Sequence, residues 1–366
     1  MAEKKRNGEI DFLRFVFALV ILFYHFNSNY KLGFFVNGYI GVEFFFVVTG
    51  FLMARHAERR KETGRELSLV ADETWRYVLG KVKAFFRYYT AAVLLQVLVR
   101  FVLLRHDRIV KVIYQFLGSI PTFTLTFMGL NNNRRFLYVG NTWYLSAMLI
   151  AIFLLFPLLL RHYDFSVKIV FPLIALFVIG YVYGTTDTIS GWNEWTGFTY
   201  TGVLRAISEI ALGGSLYALS AVLPQKCRWL VSPDSRAVTL LITLFKACCY
   251  AAVIAFAYGT VMGITFKNFF SLHALLICAL GVLLSFSNAG YCIPDSGLTR
   301  YLGKLSLPIF IFHGFIRWSF WDVIGHAGIS ARLFAFLVVS GVVLSVVLMY
   351  ATDAVAFLFR KLRQRA

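Results

Sequence analysis

The sequence predicts an all-α, polytopic membrane protein with about ten transmembrane helices and with both termini in the cytoplasm. Of its 366 residues, 59% are hydrophobic and only 15% are charged, whereas soluble proteins carry about 25% charged residues. One aqueous core cannot bury so much apolar surface, because soluble cores stop growing near ~250–300 residues. Soluble enzymes, disordered proteins and disulfide-stapled secreted domains are therefore excluded.

Apolar segments near the ~20 residues that cross a bilayer recur along the whole chain. In order, these predicted helices cover residues 10–27, 38–54, 82–104, 141–160, 168–184, 202–222, 237–259, 268–287, 302–324 and 331–359. A further apolar stretch, 112–128, is interrupted by Gly118 and Pro121. It is predicted to be a re-entrant or interfacial segment. The backbone groups of such a segment must find their hydrogen-bond partners in protein, because lipid offers none. Residues 1–366 thus form one predicted membrane domain.

Basic residues set the predicted orientation. With the N-terminus inside, the inner segments hold 23 Lys and Arg residues and the outer loops hold 8, and inner loops are the more basic ones. The net charge of +18 is therefore assigned to topology and not to nucleic-acid binding. The longest inner loop, 55–81, is strongly charged and is predicted to contain a short amphipathic helix. No small-residue cleavage site follows the first apolar run, which argues against a signal peptide.

Several common kinds of site are missing from the sequence. The five cysteines form no CxxC pattern, so neither a zinc site nor a disulfide framework is predicted. The P-loop, GxSxG and HExxH motifs are also missing, which argues against ATP-driven transport and against serine- or zinc-based hydrolysis. No metal and no bound cofactor are predicted.

Ionisable side chains inside apolar segments are the first candidates for function, since each costs roughly 2.5–3.5 kcal/mol on insertion scales. They are Arg14, His25, Glu43, Arg100, Arg205, Glu209, Lys246, His273, His313 and Arg317.

Arg14 and His25 lie on one face of the first helix, about 16 Å apart along its axis. Arg14 is then near the cytoplasmic end and His25 near the outer end. Glu43, early in the second helix, is expected at the depth of His25, where its carboxylate would hold one imidazole tautomer and stabilise the protonated ring. The alternative is a polar cluster that only joins the two helices.

Two further pairs are spaced i, i+4 along a helix. Arg205 and Glu209 are predicted to neutralise each other, with a substrate contact as the alternative. His313 and Arg317 are expected either to line a polar cavity or to donate to a backbone carbonyl.

Lys81, Lys83 and Arg87 lie at the inner mouth of the third helix. The positive-inside rule alone explains them, but opposite an anionic donor they would form a phosphate site. The sequence does not decide whether Arg100 and Lys246 neutralise a carboxylate or bind an anion.

Trp143 and Tyr144 belong either to an interfacial aromatic belt or to a surface on which a sugar stacks.

Four blocks of the sequence resemble the acyltransferase family 3 of integral membrane acyltransferases. The first helix has the Arg-x10-His pattern in Arg14 and His25, and residues 41–52, GVEFFFVVTGFL, are similar to the GV[DE]-FF-SGF block. Residues 143–146, WYLS, resemble the W[YF]L block, and residues 302–313 resemble the late G-x-x-S…H helix. The blocks occur in the family's order.

The resemblance implies an O-acyltransferase of the cytoplasmic membrane that moves an acyl group, by default acetyl, from cytoplasmic acyl-CoA to a hydroxyl of an extracytoplasmic sugar or polysaccharide. His25 would be a general base or a covalent acyl carrier, oriented by Glu43. The donor phosphates would meet Arg14, Lys81, Lys83 and Arg87. Acceptor or cavity positions would be Thr49, Trp143, Tyr144, His313 and Arg317. The sequence also fits a proton-coupled transporter or flippase and, less well, a scaffold; acceptor and oligomeric state are left open.

Overall fold

The structure is a computed structural model that describes residues 7–30, 38–60, 67–99, 143–226, 235–258, 293–324 and 330–364, with single positions 110, 114, 117, 278 and 279. Within these residues the chain is helical, and the one β interaction is an isolated bridge between Trp195 and Tyr200. The predicted all-α class is confirmed.

The long helices of the described residues each overlap one predicted segment. They are α1 (Gly8–Tyr30), α2 (Ile40–Glu58), α3 (Leu67–Val99), α4 (Trp143–Arg161), α5 (Tyr163–Thr186), α6 (Thr201–Lys226), α7 (Arg236–Tyr258), α8 (Gly297–Ile324) and α9 (Ala331–Arg363). Within α5, the turn Ser166–Val170 is π-helical. Apart from single positions, the predicted segments 268–287 and 112–128 lie outside the described residues.

The predicted cytoplasmic loop 55–81 is mostly helical where the structure describes it, and its position outside the bilayer stays a prediction. α2 continues to Glu58, and α3 begins at Leu67 and runs without a break into the predicted span. The physical reason is that residues 67–99 contain no proline, so nothing stops the charged first turns from continuing into the apolar ones.

Five described helices are long and apolar enough to cross a bilayer. They are Ile40–Glu58, Trp143–Arg161, Tyr163–Thr186, Thr201–Ser220 and Arg332–Leu358. The spans in α5 and α9 are only 28% and 33% buried, against 72% for α2, so these two helices turn apolar side chains outward. Ionisable groups such as Glu43 and Arg205 are buried instead. Polar groups inside and apolar groups outside are expected in lipid, so the chain is a membrane protein; ten spans and their orientation remain predictions.

Close helix contacts position the polar side chains. α1 packs most extensively on α8, and α2 on α6. A Cβ atom at Gly50 would lie 1.9 Å from the Ile210 carbonyl oxygen, and one at Gly213 would lie 2.0 Å from the Val47 carbonyl oxygen. Small residues of this kind let two backbones approach within a membrane. At the α1–α8 contact, Gly303 does the same against the Asp11 side chain.

Candidate active site

His25 and His313 form a histidine pair between α1 and α8. Their ring centroids are 5.2 Å apart and the ring planes are inclined by 27°. His313 is fully buried, whereas His25 is partly buried. Arg317, one turn beyond His313, brings its Nη1 to 3.2 Å from Nδ1 of His25 and to 3.4 Å from its carbonyl oxygen. Three predicted site residues from distant parts of the sequence therefore meet here.

The expected contact between Glu43 and His25 is corrected by the structure. Glu43 is fully buried, and its Oε2 accepts a hydrogen bond from Arg205 Nη2 at 2.5 Å. Oε1 of Glu209 lies 3.8 Å from Arg205 Nε, so the predicted i, i+4 pair exists but is the longer of the two contacts. Glu43 turns toward α6 because the Gly50 and Gly213 crossing brings that helix against α2. Glu43, Arg205 and Glu209 form a buried carboxylate cluster.

Arg205 also ties this cluster to the loop between α5 and α6. Its Nη1 donates to the carbonyl oxygens of Ser190 and Gly191, both at 2.9 Å. Its guanidinium lies 5.5 Å from the centre of the Trp143 ring, and Trp143 stacks on Trp192 with centroids 5.7 Å apart. Trp143, predicted as an acceptor contact, is thus packed into the surroundings of Arg205.

A cavity of about 220 Å³ lies among α1, α2, α3, α4 and α8. Four predicted site residues line it: Arg14, Lys81, Thr49 and Tyr144. Apolar side chains make up most of the remaining wall. A mainly apolar cavity with a few polar groups is the usual form of a small-molecule site. We refer to it as the Arg14–Lys81 cavity.

Three aromatic rings connect this cavity to the histidine pair. Phe45, Tyr144 and Phe310 all line the cavity and contact one another, with centroid distances of 5.3 to 6.4 Å. The ring of Phe310 also contacts His313 edge-on at 5.8 Å. One side chain therefore contacts both the cavity and the histidine pair.

The other two predicted donor residues do not line the cavity. Lys83 is exposed on α3. Arg87 forms an ion pair with Asp353 of α9, at 3.3 Å, and Lys304 reaches the same carboxylate at 3.2 Å. The turn of α3 that carries Arg87 is thereby joined to α9. Of the four predicted donor residues, only Arg14 and Lys81 line the cavity, and phosphate binding there stays a prediction.

Two intramembrane cations remained without a predicted role. Lys246 Nζ lies 3.2 Å from Oε2 of Glu9, and both side chains are buried, so this pair connects α7 to the start of α1. Arg100 lies outside the described residues, as does His273. Within the described part of the chain, no group of three or more His, Cys, Asp and Glu side chains is arranged to hold a metal ion.

Sequence reasoning missed Asp353, Phe45 and Phe310. Asp353 had a usable signal, because it is the one acidic residue in the apolar stretch 331–359. The two phenylalanines had none, because phenylalanine is common throughout this chain and nothing distinguishes a wall residue from a lipid-facing one before the helices are packed.

Comparison with known families gives one match. The sequence model of a family described as an acyltransferase domain, acyltransferase family 3, matches residues 7–352. That interval covers every site residue described above except Asp353, which lies one residue beyond its end. No match is found among curated proteins or among solved structures.

Proposed function

This chain belongs to acyltransferase family 3, and on that premise we propose that it transfers an acetyl group from acyl-CoA to a hydroxyl of a sugar. The donor enters from the cytoplasm, and the acceptor is an extracytoplasmic sugar or polysaccharide. The observation that carries this proposal is the contact between the Arg14–Lys81 cavity and the histidine pair through Phe310.

The cavity has the chemistry that a CoA thioester requires. The donor combines anionic phosphates with a long, thin arm that carries the acyl group. Arg14 and Lys81 supply two cations on the cavity wall, and charge-assisted bonds to phosphate are among the stronger hydrogen bonds in proteins. The apolar walls formed by residues such as Val48 and Leu307 accommodate the arm.

The histidine pair supplies the reacting groups. Imidazole is the side chain used most often for proton transfer near neutral pH. His25 lies eleven residues after Arg14 on the same helix, so one helix connects the phosphate end to the reacting end over about 16 Å. The acyl group then passes the rings of Phe45, Tyr144 and Phe310 before it reaches His25.

The direct test is transfer of labelled acetyl groups from acetyl-CoA. Inside-out membrane vesicles from the source organism, with the chromosomal copy deleted and each variant supplied on a plasmid, receive acetyl-CoA labelled in the acetyl group. We expect label in the glycan fraction that hydroxylamine releases, as it does from esters. His25→Ala is expected to lower the rate at least ~100-fold, the size of a lost proton-transfer or oxyanion-binding group.

The matched control is His162→Gln, because His162 is exposed at the end of α4, away from the cavity. It is expected to transfer acetyl groups at the wild-type rate. If His25→Ala is expressed normally and retains wild-type transfer, the assignment is wrong. Counterflow of a solute without any covalent product would instead support the transporter alternative.

A further inference from the structure

The hydrogen bonds of the histidine pair assign a proton position to each ring, beginning with His313. Its Nδ1 lies 3.0 Å from the carbonyl oxygen of Ile309, one turn earlier in α8. A carbonyl oxygen only accepts hydrogen bonds, so Nδ1 carries the proton and donates. A neutral imidazole has one proton, and therefore the in-plane lone pair of His313 is on Nε2.

His25 has the opposite arrangement. Its Nδ1 faces Nη1 of Arg317 at 3.2 Å, and a guanidinium only donates hydrogen bonds. Nδ1 of His25 is therefore the acceptor, and the proton of the neutral ring is on Nε2. The same Arg317 nitrogen also donates to the His25 carbonyl oxygen, which fixes the guanidinium relative to this turn of α1.

Two neighbouring imidazoles with opposite tautomers supply one basic lone pair and one N–H donor. Resting on the proposed function, we propose that His313 is the general base of the transfer, and that His25 donates a hydrogen bond from Nε2 to the thioester carbonyl oxygen. Arg317 is then a positioning residue that holds His25 in the donating tautomer. The role of general base, which the sequence analysis expected for His25, is thus assigned to His313.

The reaction balances with these two groups. The acceptor hydroxyl oxygen forms a bond to the thioester carbon while its proton moves to Nε2 of His313. The carbonyl π electrons move onto oxygen, where the Nε2–H of His25 stabilises the negative charge, as donors in an oxyanion hole do. When the intermediate collapses, the C–S bond breaks and the departing sulfur takes the proton from His313. The products are an O-acyl ester and free CoA thiol, and both rings return to their starting forms.

The two tautomers are observable without any turnover. In the protein reconstituted in lipid and labelled with ¹⁵N histidine, solid-state NMR distinguishes a protonated Nδ1 from a protonated Nε2. Signals are assigned by their loss in His25→Gln and His313→Gln. We expect His313 to carry its proton on Nδ1 and His25 on Nε2. A His313 ring protonated on Nε2, or a His25 ring protonated on Nδ1, overturns the proposal.

Kinetics separate the two roles in the vesicle assay. Glutamine at position 25 still offers an amide N–H, whereas glutamine at position 313 cannot take up a proton. We expect His313→Gln to lower kcat by ~10²–10⁴-fold and to lose the rise of rate with pH that a base produces. His25→Gln is expected to keep that rise with a smaller loss of kcat, and His162→Gln to match the wild type.

The opposite pattern, with the pH-dependent rise lost in His25→Gln and kept in His313→Gln, contradicts the proposal. Mass spectrometric detection of an acetyl group on His25 during turnover also contradicts it, because a donating Nε2–H has no lone pair with which to attack the thioester. If the wild type transfers no acetyl group at all, the proposed function fails. Wild-type transfer with an unaffected His313→Gln variant removes only the base assignment.

Discussion

Arg205 is a buried cation that faces two carboxyl groups, so replacing it should be among the most destabilising changes in this protein. Arg205→Met removes the 2.5 Å bond to Glu43 and both bonds to backbone carbonyls of the α5–α6 loop. Removing one partner of a buried ion pair costs about 3–5 kcal/mol, since the other charge stays buried without compensation. We expect Arg205→Met to lie in this range.

The two carboxyl groups should differ in a way that follows from their distances. Glu43→Gln keeps an amide oxygen as an acceptor but loses the charge on the short bond. We expect it to lower the free energy of unfolding by about 1–2 kcal/mol, the difference between a charged and a neutral hydrogen bond. Glu209 lies 3.8 Å from Arg205, beyond hydrogen-bonding distance. Glu209→Gln leaves one carboxylate facing one guanidinium, so its effect should stay within about 1 kcal/mol.

The measurement is reversible unfolding in mixed sodium dodecyl sulfate and dodecylmaltoside micelles, followed by circular dichroism. The predicted order of destabilisation is Arg205→Met, then Glu43→Gln, then Glu209→Gln. An Arg205→Met protein within about 1 kcal/mol of the wild type would contradict a stabilising buried ion pair at this position. Equal costs for the two glutamine variants would contradict it too, because the short contact with Arg205 is made by Glu43 and not by Glu209.

Two further variants test the donor cavity and the α1–α8 contact. Lys81→Ala should raise the KM for acetyl-CoA by ~10–100-fold, because it loses one charge-assisted contact to phosphate. Lys83 is exposed and outside the cavity, so Lys83→Ala should leave KM unchanged. Equal effects of the two variants would show that general surface charge attracts the donor. Gly303→Ala brings a Cβ to 2.5 Å from Oδ1 of Asp11 and should cost about 1–3 kcal/mol in the micelle unfolding experiment. The control is Gly180→Ala, whose new methyl group meets open space; its free energy of unfolding should equal or exceed that of the wild type. A Gly303→Ala protein as stable as Gly180→Ala would contradict the close contact.

The helices could be predicted from the sequence because a run of apolar residues long enough to cross lipid is a local property. α3 shows where this reasoning stops. The predicted span begins where the hydropathy rises, but the helix begins at Leu67, because a helix can continue from a polar into an apolar segment when no proline interrupts it. Hydropathy identifies the part of a helix in lipid, and not the part that extends beyond it.

Partners across helices could not be predicted in the same way. Glu43 and Arg205 are 162 residues apart in sequence, and His25 and Arg317 are 292 apart. In lipid, apolar side chains do not indicate which helices are neighbours. Close contacts of small residues, such as Gly50 against α6, determine which helices pack together. The sequence therefore predicted that these ionisable residues needed partners, and only the packed helices assign them.

The central claim is that a thioester held at the Arg14–Lys81 cavity presents its acyl group to the histidine pair. Cryo-electron microscopy of the protein in lipid nanodiscs, with an acetyl-CoA analogue whose sulfur is replaced by a methylene group, tests it most directly. We expect phosphate density beside Arg14 and Lys81, and the analogue's carbonyl oxygen within hydrogen-bonding distance of His25 Nε2. An analogue bound with its phosphates elsewhere, or with its acyl end held away from His25 and His313, would show that the cavity does not deliver a thioester to the histidine pair.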